Sequence, residues 1–96
     1  MPKQFAVYIL ASQPRGTLYI GVTSNLVQRM WQHRNKSTPG FTERYAVEKL
    51  VWYEMQPDSQ QAIKREKQLK QWKRDWKIRL IEQSNCCWDD LWKTLL

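Results

Sequence analysis

Five side chains carry the chemical interest of this sequence: Tyr8, Tyr19, Arg29, His33 and Glu66. Tyr8 and Tyr19 lie on two short apolar segments, residues 5–10 and 17–22, and their hydroxyls can share one face of a sheet. Arg29 and His33 are four apart, so they share one face of a helix. A guanidinium beside an imidazole can grip a phosphate, because its two N–H prongs match phosphate oxygens. Glu66 falls inside an apolar helical stripe: with Ala62 at about 0° and ~100° per residue, Leu69 lies near about −20° and Glu66 near about +40°. A carboxylate there is costly unless it is paired or metal-bound.

Each of these residues has an ordinary explanation. Tyrosines favour strands and pack in cores, a helix flank is commonly solvated, and Glu66 can pair with Lys70 or Lys73. Together they suit metal-assisted phosphodiester cleavage. One hard cation such as Mg²⁺ (or Mn²⁺) prefers oxygen ligands and keeps several waters, so Glu66 alone can anchor it. The metal would polarise the phosphate and stabilise the leaving oxygen. Arg29 would stabilise the extra negative charge of the transition state. A tyrosine would relay a proton from the attacking water if nearby charge lowered its pKa from about 10.

The elements must deliver these groups to one place. Gln13-Pro14-Arg15-Gly16 has tight-turn chemistry, with Pro14 pre-setting φ and Gly16 suiting the last position. If Gln13 pairs with Gly16, Tyr19 lies opposite Leu10, on the same face as Tyr8. The tyrosines are then diagonal cross-strand neighbours. A slip of one residue would separate them. Ser24 or Asn25 can cap a helix running to about residue 35, with Leu26, Val27, Met30 and Trp31 as its apolar side. Residues 36–46 read as a loop broken by Pro39-Gly40, and residues 47–55 as a third strand. Helical patterns follow over 59–73 and 74–83, with Asn85 in the next turn and a short last helix over 88–95. The order β-β-α-β-α-α predicts an α+β domain, a small three-stranded antiparallel sheet flanked by helices. Residues 1–96 read as one domain with its core over about 4–83.

Charge points to the partner. The net charge is +7, with five basic and no acidic residues over 1–40 and eight basic residues over 61–80. Such blocks suit a polyanion, nucleic acid first, beside the plainer reading of a solvated lysine face; the partner expected is DNA before RNA. Candidate contacts are Arg15, Arg34 and Lys36 in the first block and Lys64, Arg65, Lys70 and Lys73 in the second. Stacking of Trp31, Trp72 or Trp76 on bases is the lesser reading beside core packing. No apolar run reaches membrane-spanning length, and a strand so near the start leaves no room for a signal peptide. Adjacent Cys86 and Cys87 suggest neither a disulfide framework nor a zinc site. A reduced, cytoplasmic setting is expected. The run Trp88, Leu91, Trp92, Leu95 either caps the core or forms a dimer face, so a monomer or weak homodimer is expected.

The ordered segments are recognisable. Ala6-Val7-Tyr8, Leu18-Tyr19-Ile20-Gly21-Val22-Thr23, Asn25-Leu26-Val27-Gln28-Arg29 with His33, Lys49-Leu50-Val51-Trp52-Tyr53-Glu54 and Ala62-Ile63-Lys64-Arg65-Glu66-Lys67-Gln68-Leu69-Lys70 resemble the GIY-YIG nuclease superfamily, in particular its small stand-alone UPF0213/YhbQ-like group. The first motif here is Ala-Val-Tyr, which keeps the tyrosine. The resemblance implies an endonuclease in which Tyr8 is general base, Tyr19 positions water or phosphate, Arg29 stabilises the phosphate, His33 assists and Glu66 holds a single divalent metal. A late asparagine also recurs in that group, and Asn85 matches it. With no attached DNA-reading module, selectivity would be for nucleic-acid shape, as in repair or recombination. The competing expectation is a nucleic-acid-binding accessory protein without catalysis.

Overall fold

The computed structural model describes residues 4–35 and 47–95. The loop expected over 36–46, Lys36 included, lies outside them. Strands β1 (Phe5–Ala11) and β2 (Leu18–Thr23) are followed by helix α1 (Leu26–Arg34), strand β3 (Lys49–Gln56), helices α2 (Ser59–Gln71) and α3 (Arg74–Ser84), and a closing 3₁₀ turn over Leu91–Leu95. The sheet is antiparallel throughout in the order β2-β1-β3, so β1 is central. This is the expected α+β architecture.

The hairpin forms in the expected register. The Gly16 amide donates to the Gln13 carbonyl at 2.9 Å, and Leu10 faces Tyr19. Arg15 takes the third turn position with φ of 56°, a left-handed conformation uncommon outside glycine. Contacts with α3 hold it there. Arg15 forms a two-pronged pair with Glu82, both N–O distances 3.2 Å, while Arg74 donates to the Arg15 and Gly16 carbonyls.

Strand alternation divides the core in two. Val7, Ile9, Ala11 and Ile20 face the layer of α2 and α3, where Ala62, Leu69, Ile81 and Trp88 are buried. Ala6, Tyr8 and Leu10 face α1 and the closing turn, packing with Leu26, Met30 and Leu50. On α1 the expected apolar side needs correction: Leu26, Met30 and His33 are buried, whereas Val27 and Trp31 are exposed. At ~100° per residue the first three fall within about 60° of one another, and positions 27 and 31 turn away. Asn25 caps α1 by accepting from the Gln28 amide at 3.1 Å. The break between α2 and α3 comes at Trp72 and Lys73, both extended with ψ near 148° and 149°. The stripe of α2 is therefore not continued, and Trp76 is half exposed. Cys86 and Cys87 are free thiols with sulfurs 3.6 Å apart.

The closing segment caps the core. Trp88 is buried in the first cluster, and Leu91, Trp92 and Leu95 pack against the second. Two polar side chains fix it. Asp90 accepts from the Leu50 and Trp92 amides at 3.2 and 3.1 Å and pairs with Arg34, whose guanidinium lies 5.3 Å over the Trp92 ring. Asn85, 6% exposed, donates to the Val51 carbonyl at 3.1 Å and the Asp89 carbonyl at 2.8 Å, and accepts from the Asp89 amide at 3.0 Å. Val51 sits where the β1–β3 register shifts between Ile9 and Leu10, so Asn85 binds the extra residue of a β-bulge. Its hydrogen bonds go to backbone. Removing it strands buried polar groups, so Asn85→Ala is expected to lower stability by about 2 kcal/mol or more in urea unfolding.

Candidate active site

Tyr8 lies mid-strand on β1 with only 1% of its surface exposed. A phenol this deep needs hydrogen-bond partners, and α1 supplies two. The Tyr8 hydroxyl is 3.2 Å from His33 Nε2, and Arg29 Nε donates to it at 3.4 Å. Burial keeps the phenol protonated, so its O–H needs an acceptor; we assign His33 Nε2 as that acceptor, with the imidazole proton on Nδ1.

Gly21 makes room for this reach. It faces Tyr8 across the β1–β2 ladder, and a Cβ placed there would stand 2.5 Å from the Tyr8 hydroxyl oxygen and 3.1 Å from the Tyr19 ring. Only glycine lets the phenol lie across β2 at this point. The functional weight of Gly21 was not apparent from sequence reasoning, although a glycine within a strand is itself a sign of close approach.

Tyr19 joins from β2. Its ring centroid is 6.3 Å from that of Tyr8 and 5.8 Å from that of His33, and the Tyr8 and His33 centroids are 5.9 Å apart. The Arg29 guanidinium bonds to Tyr8, and its neighbours Tyr8 and Tyr19 raise its already high pKa, Tyr8 contributing most. Arg29 also donates from Nη1 to Gln32 Oε1 at 3.2 Å. Gln32 thus helps aim Arg29, a role that residue type alone did not signal. Glu66 approaches from α2, its side chain 20% exposed, with one oxygen 3.5 Å from Lys70 Nζ, the expected pairing one turn on. Its negative charge acts on the Tyr8 hydroxyl, raising the phenol pKa. The structure therefore brings Tyr8, Tyr19, Arg29 and His33 into mutual contact, with Glu66 within electrostatic reach.

The electrostatics correct one expectation. Tyr8 is pushed up to about 12, not lowered, chiefly because burial disfavours the phenolate. The Arg29 hydrogen bond opposes this, while the nearby Tyr19 and Glu66 add to it. His33 is pushed down to about 4, by burial first and then by the Arg29 charge. At neutral pH the pair is therefore a protonated phenol beside a neutral imidazole.

Other candidate residues are placed elsewhere. The Asn85 amide is committed to the bulge and the closing segment. Three arginines expected to meet nucleic acid are engaged within the molecule: Arg15 with Glu82, Arg34 with Asp90, and Arg65 with Glu54 at 3.1 Å and over the Trp72 ring at 5.3 Å. Lys64, Lys70 and Lys73 are exposed. Among the described residues no group of three or more His, Cys, Asp or Glu is placed to hold a metal ion. A lone carboxylate does not suit a closed zinc site, but it fits a hard cation that keeps most of its waters. Glu66, which already holds the Lys70 ammonium, is the side chain that would bind it. No helix among the described residues is long and apolar enough to cross a membrane.

His33 gives a pH signature. Its folded pKa, about 4, lies below the ordinary 6.5. The unfolded chain therefore takes up this proton first as pH falls below about 6.5, and stability declines until the folded state also protonates near about pH 4. Between about pH 7 and pH 4.5 the wild type is expected to lose about 2 kcal/mol more stability than His33→Gln, measured by urea unfolding at both pH values.

Comparison with known proteins gives the same picture. Residues 4–79 match the GIY-YIG catalytic domain. The chain is 37% identical over 79 residues to a UPF0213 protein of Syntrophus aciditrophicus, covering 81% of this chain and 90% of that one. It is 30% identical over 77 residues to a UPF0213 protein of Staphylococcus saprophyticus, covering 80% and 93%. The solution NMR structure of a UPF0213 protein from Bacillus halodurans has the same fold, with a TM-score of 0.54 over 85% of this chain and 86% of that one at 24% identity. With the GIY-YIG catalytic domain matched over residues 4–79 and two UPF0213 relatives at 30% and 37% identity, the chain belongs to the GIY-YIG family of nucleases, in its UPF0213 group.

Proposed function

We propose that this protein is a divalent-metal-dependent endonuclease that hydrolyses phosphodiester bonds in nucleic acid, DNA before RNA, and selects its target by structure rather than sequence. The observation that carries this reading is the hydrogen-bonded trio Tyr8–His33–Arg29 with the Tyr19 ring packed against it. Selection by shape follows from the exposed cations being mainly lysines, which position phosphates and do not read base edges in fixed geometry. Repair or recombination is the setting that such selectivity suits.

The residues divide the work. Arg29 binds the scissile phosphate and meets the charge that grows on it in the transition state. Water attacks phosphorus and gives its proton to the Tyr8 oxygen as the Tyr8 proton passes to His33 Nε2. One P–O bond breaks and the leaving oxygen takes a proton from solvent water, leaving a phosphomonoester on one end and a hydroxyl on the other; His33 then returns its proton to solvent. His33 is a weak base in the resting site, partly because Arg29 stands beside it. A bound phosphate offsets the Arg29 charge and so raises the proton affinity of His33 when substrate is present. Tyr19 holds the phosphate or the water from the β2 side. A hard cation on Glu66, Mg²⁺ or Mn²⁺, would supply Lewis-acid polarisation of the phosphate and stabilise the leaving oxygen.

A second reading, an accessory protein that binds without cutting, draws support from the deep burial and high pKa of Tyr8. Cleavage assays on labelled duplex, branched and single-stranded DNA and RNA, with and without Mg²⁺, separate the two. Glu66→Ala and Tyr8→Phe are each expected to lose about 100-fold or more in cleavage rate while binding persists. Glu66→Ala cutting as fast as the wild type, or cleavage unaffected by EDTA, would overturn the nuclease assignment. Salt-sensitive binding with no product at any metal concentration would establish the accessory role.

A further inference from the structure

The tyrosine cluster borders a cleft at the open edge of the sheet. Its volume is about 350 Å³, and its lining is Leu18, Tyr19, Ile20, Lys70 and Lys77. Strand β2 is an edge strand, so the side of its backbone away from β1 lies outside the ladder. Lys70 comes from α2 and Lys77 from α3. The cleft adjoins the proposed catalytic groups at two points: Tyr19 belongs to both, and Lys70 is the cation on Glu66. No ion pair among the described residues involves Lys77.

We propose that this cleft is a substrate-strand subsite that takes the nucleotide flanking the scissile bond, with Lys77 as the residue that holds its phosphate. Three properties fit that occupant. Two ammonium groups at the rim complement a phosphodiester. Leu18, half-buried on the α2 and α3 side of the sheet, offers apolar surface to a sugar beside the open edge of β2 at Tyr19. The volume is at the lower end for small-ligand sites, room for about one nucleotide and far too little for a duplex. A strand lying here passes Tyr19 before it reaches Tyr8 and Arg29, so Lys77 sets the register of the scissile phosphate without touching the reacting atoms. Lys77 is a positioning residue in this account. The proposal rests on the nuclease reading above and deepens it by naming where the strand lies.

Fluorescence anisotropy in EDTA tests binding apart from cleavage. Labelled oligonucleotides carry one neutral methylphosphonate each, stepped along the strand, and are titrated with wild type, Lys77→Ala, Lys77→Arg and Lys64→Ala. Lys64 lies in a different cleft, with Gln56, Gln61, Arg65 and Gln68, and serves as the equal-charge control. The wild type is expected to lose affinity at one phosphate position where Lys77→Ala loses none. Lys77→Ala should bind the unmodified strand about five- to ten-fold more weakly, with a salt slope smaller by about one. Lys77→Arg should restore both affinity and position dependence, which separates lost charge from lost fold, and Lys64→Ala should keep the wild-type position dependence. If every methylphosphonate weakens Lys77→Ala as much as it weakens wild type, the two losses are independent and the subsite is refuted. Equal losses in Lys64→Ala and Lys77→Ala without position dependence refute it as well. A wild type that binds none of the oligonucleotides overturns the nuclease reading itself, and the subsite with it.

Discussion

The fold around the site depends on one buried hydroxyl. Tyr8 sits on the central strand, almost wholly enclosed, and its phenol must find partners inside the protein. It crosses β2 at Gly21, where no side chain stands in the way, and meets His33 and Arg29 on α1. That requirement fixes which way α1 is turned. His33 and Arg29 must face the sheet, so Leu26 and Met30 enter the core beside them while Val27 and Trp31 go to solvent. Asn25 sets where the helix starts and therefore which residues come round to the sheet. At the other end of α1, Arg34 ties the helix to Asp90, which also binds the β3 backbone at Leu50.

The same burial sets the electrostatics. Desolvation is the leading cause of both large shifts, raising Tyr8 and lowering His33. The two changes act together to keep the proton on the phenol. Charged neighbours then modulate the pair: Arg29 favours the phenolate and disfavours the imidazolium, and Glu66 disfavours the phenolate. On the proposed mechanism the resting site is a poor base until a phosphate offsets Arg29. That arrangement suits an enzyme whose base should strengthen only when substrate is bound.

Local chemistry made much of this legible in the sequence. The turn at Pro14 and Gly16 set the hairpin register, and the register set which face Tyr8 and Tyr19 share. Spacing of four brought Arg29 and His33 together, and the angular position of Glu66 on its helix marked it as directed inward. Partners distant in sequence were what sequence could not supply. Arg15, Arg34 and Arg65 count as surface cations in any local charge tally, yet each meets a carboxylate from another element. Asn85 was a candidate site residue in the sequence, but the task it performs became visible only with the β-bulge at Val51 that it binds. Gly21 could be read as part of a motif; that its missing side chain is the space for the Tyr8 hydroxyl is a fact of strand pairing. The direction of the Tyr8 shift is not legible in the sequence for a related reason: burial outweighs nearby charge and depends on packing from several elements.

The central claim is that a neutral, buried His33 accepts the proton of Tyr8. His33 is the chain's one histidine, so its imidazole gives a single set of resonances. The most direct measurement is therefore an NMR pH titration of the imidazole nitrogens in the folded protein. The account predicts a midpoint near about 4 and, at neutral pH, Nε2 unprotonated and hydrogen-bonded with the proton on Nδ1. A midpoint near the ordinary value of about 6.5, or a proton resting on Nε2 at neutral pH, would contradict it.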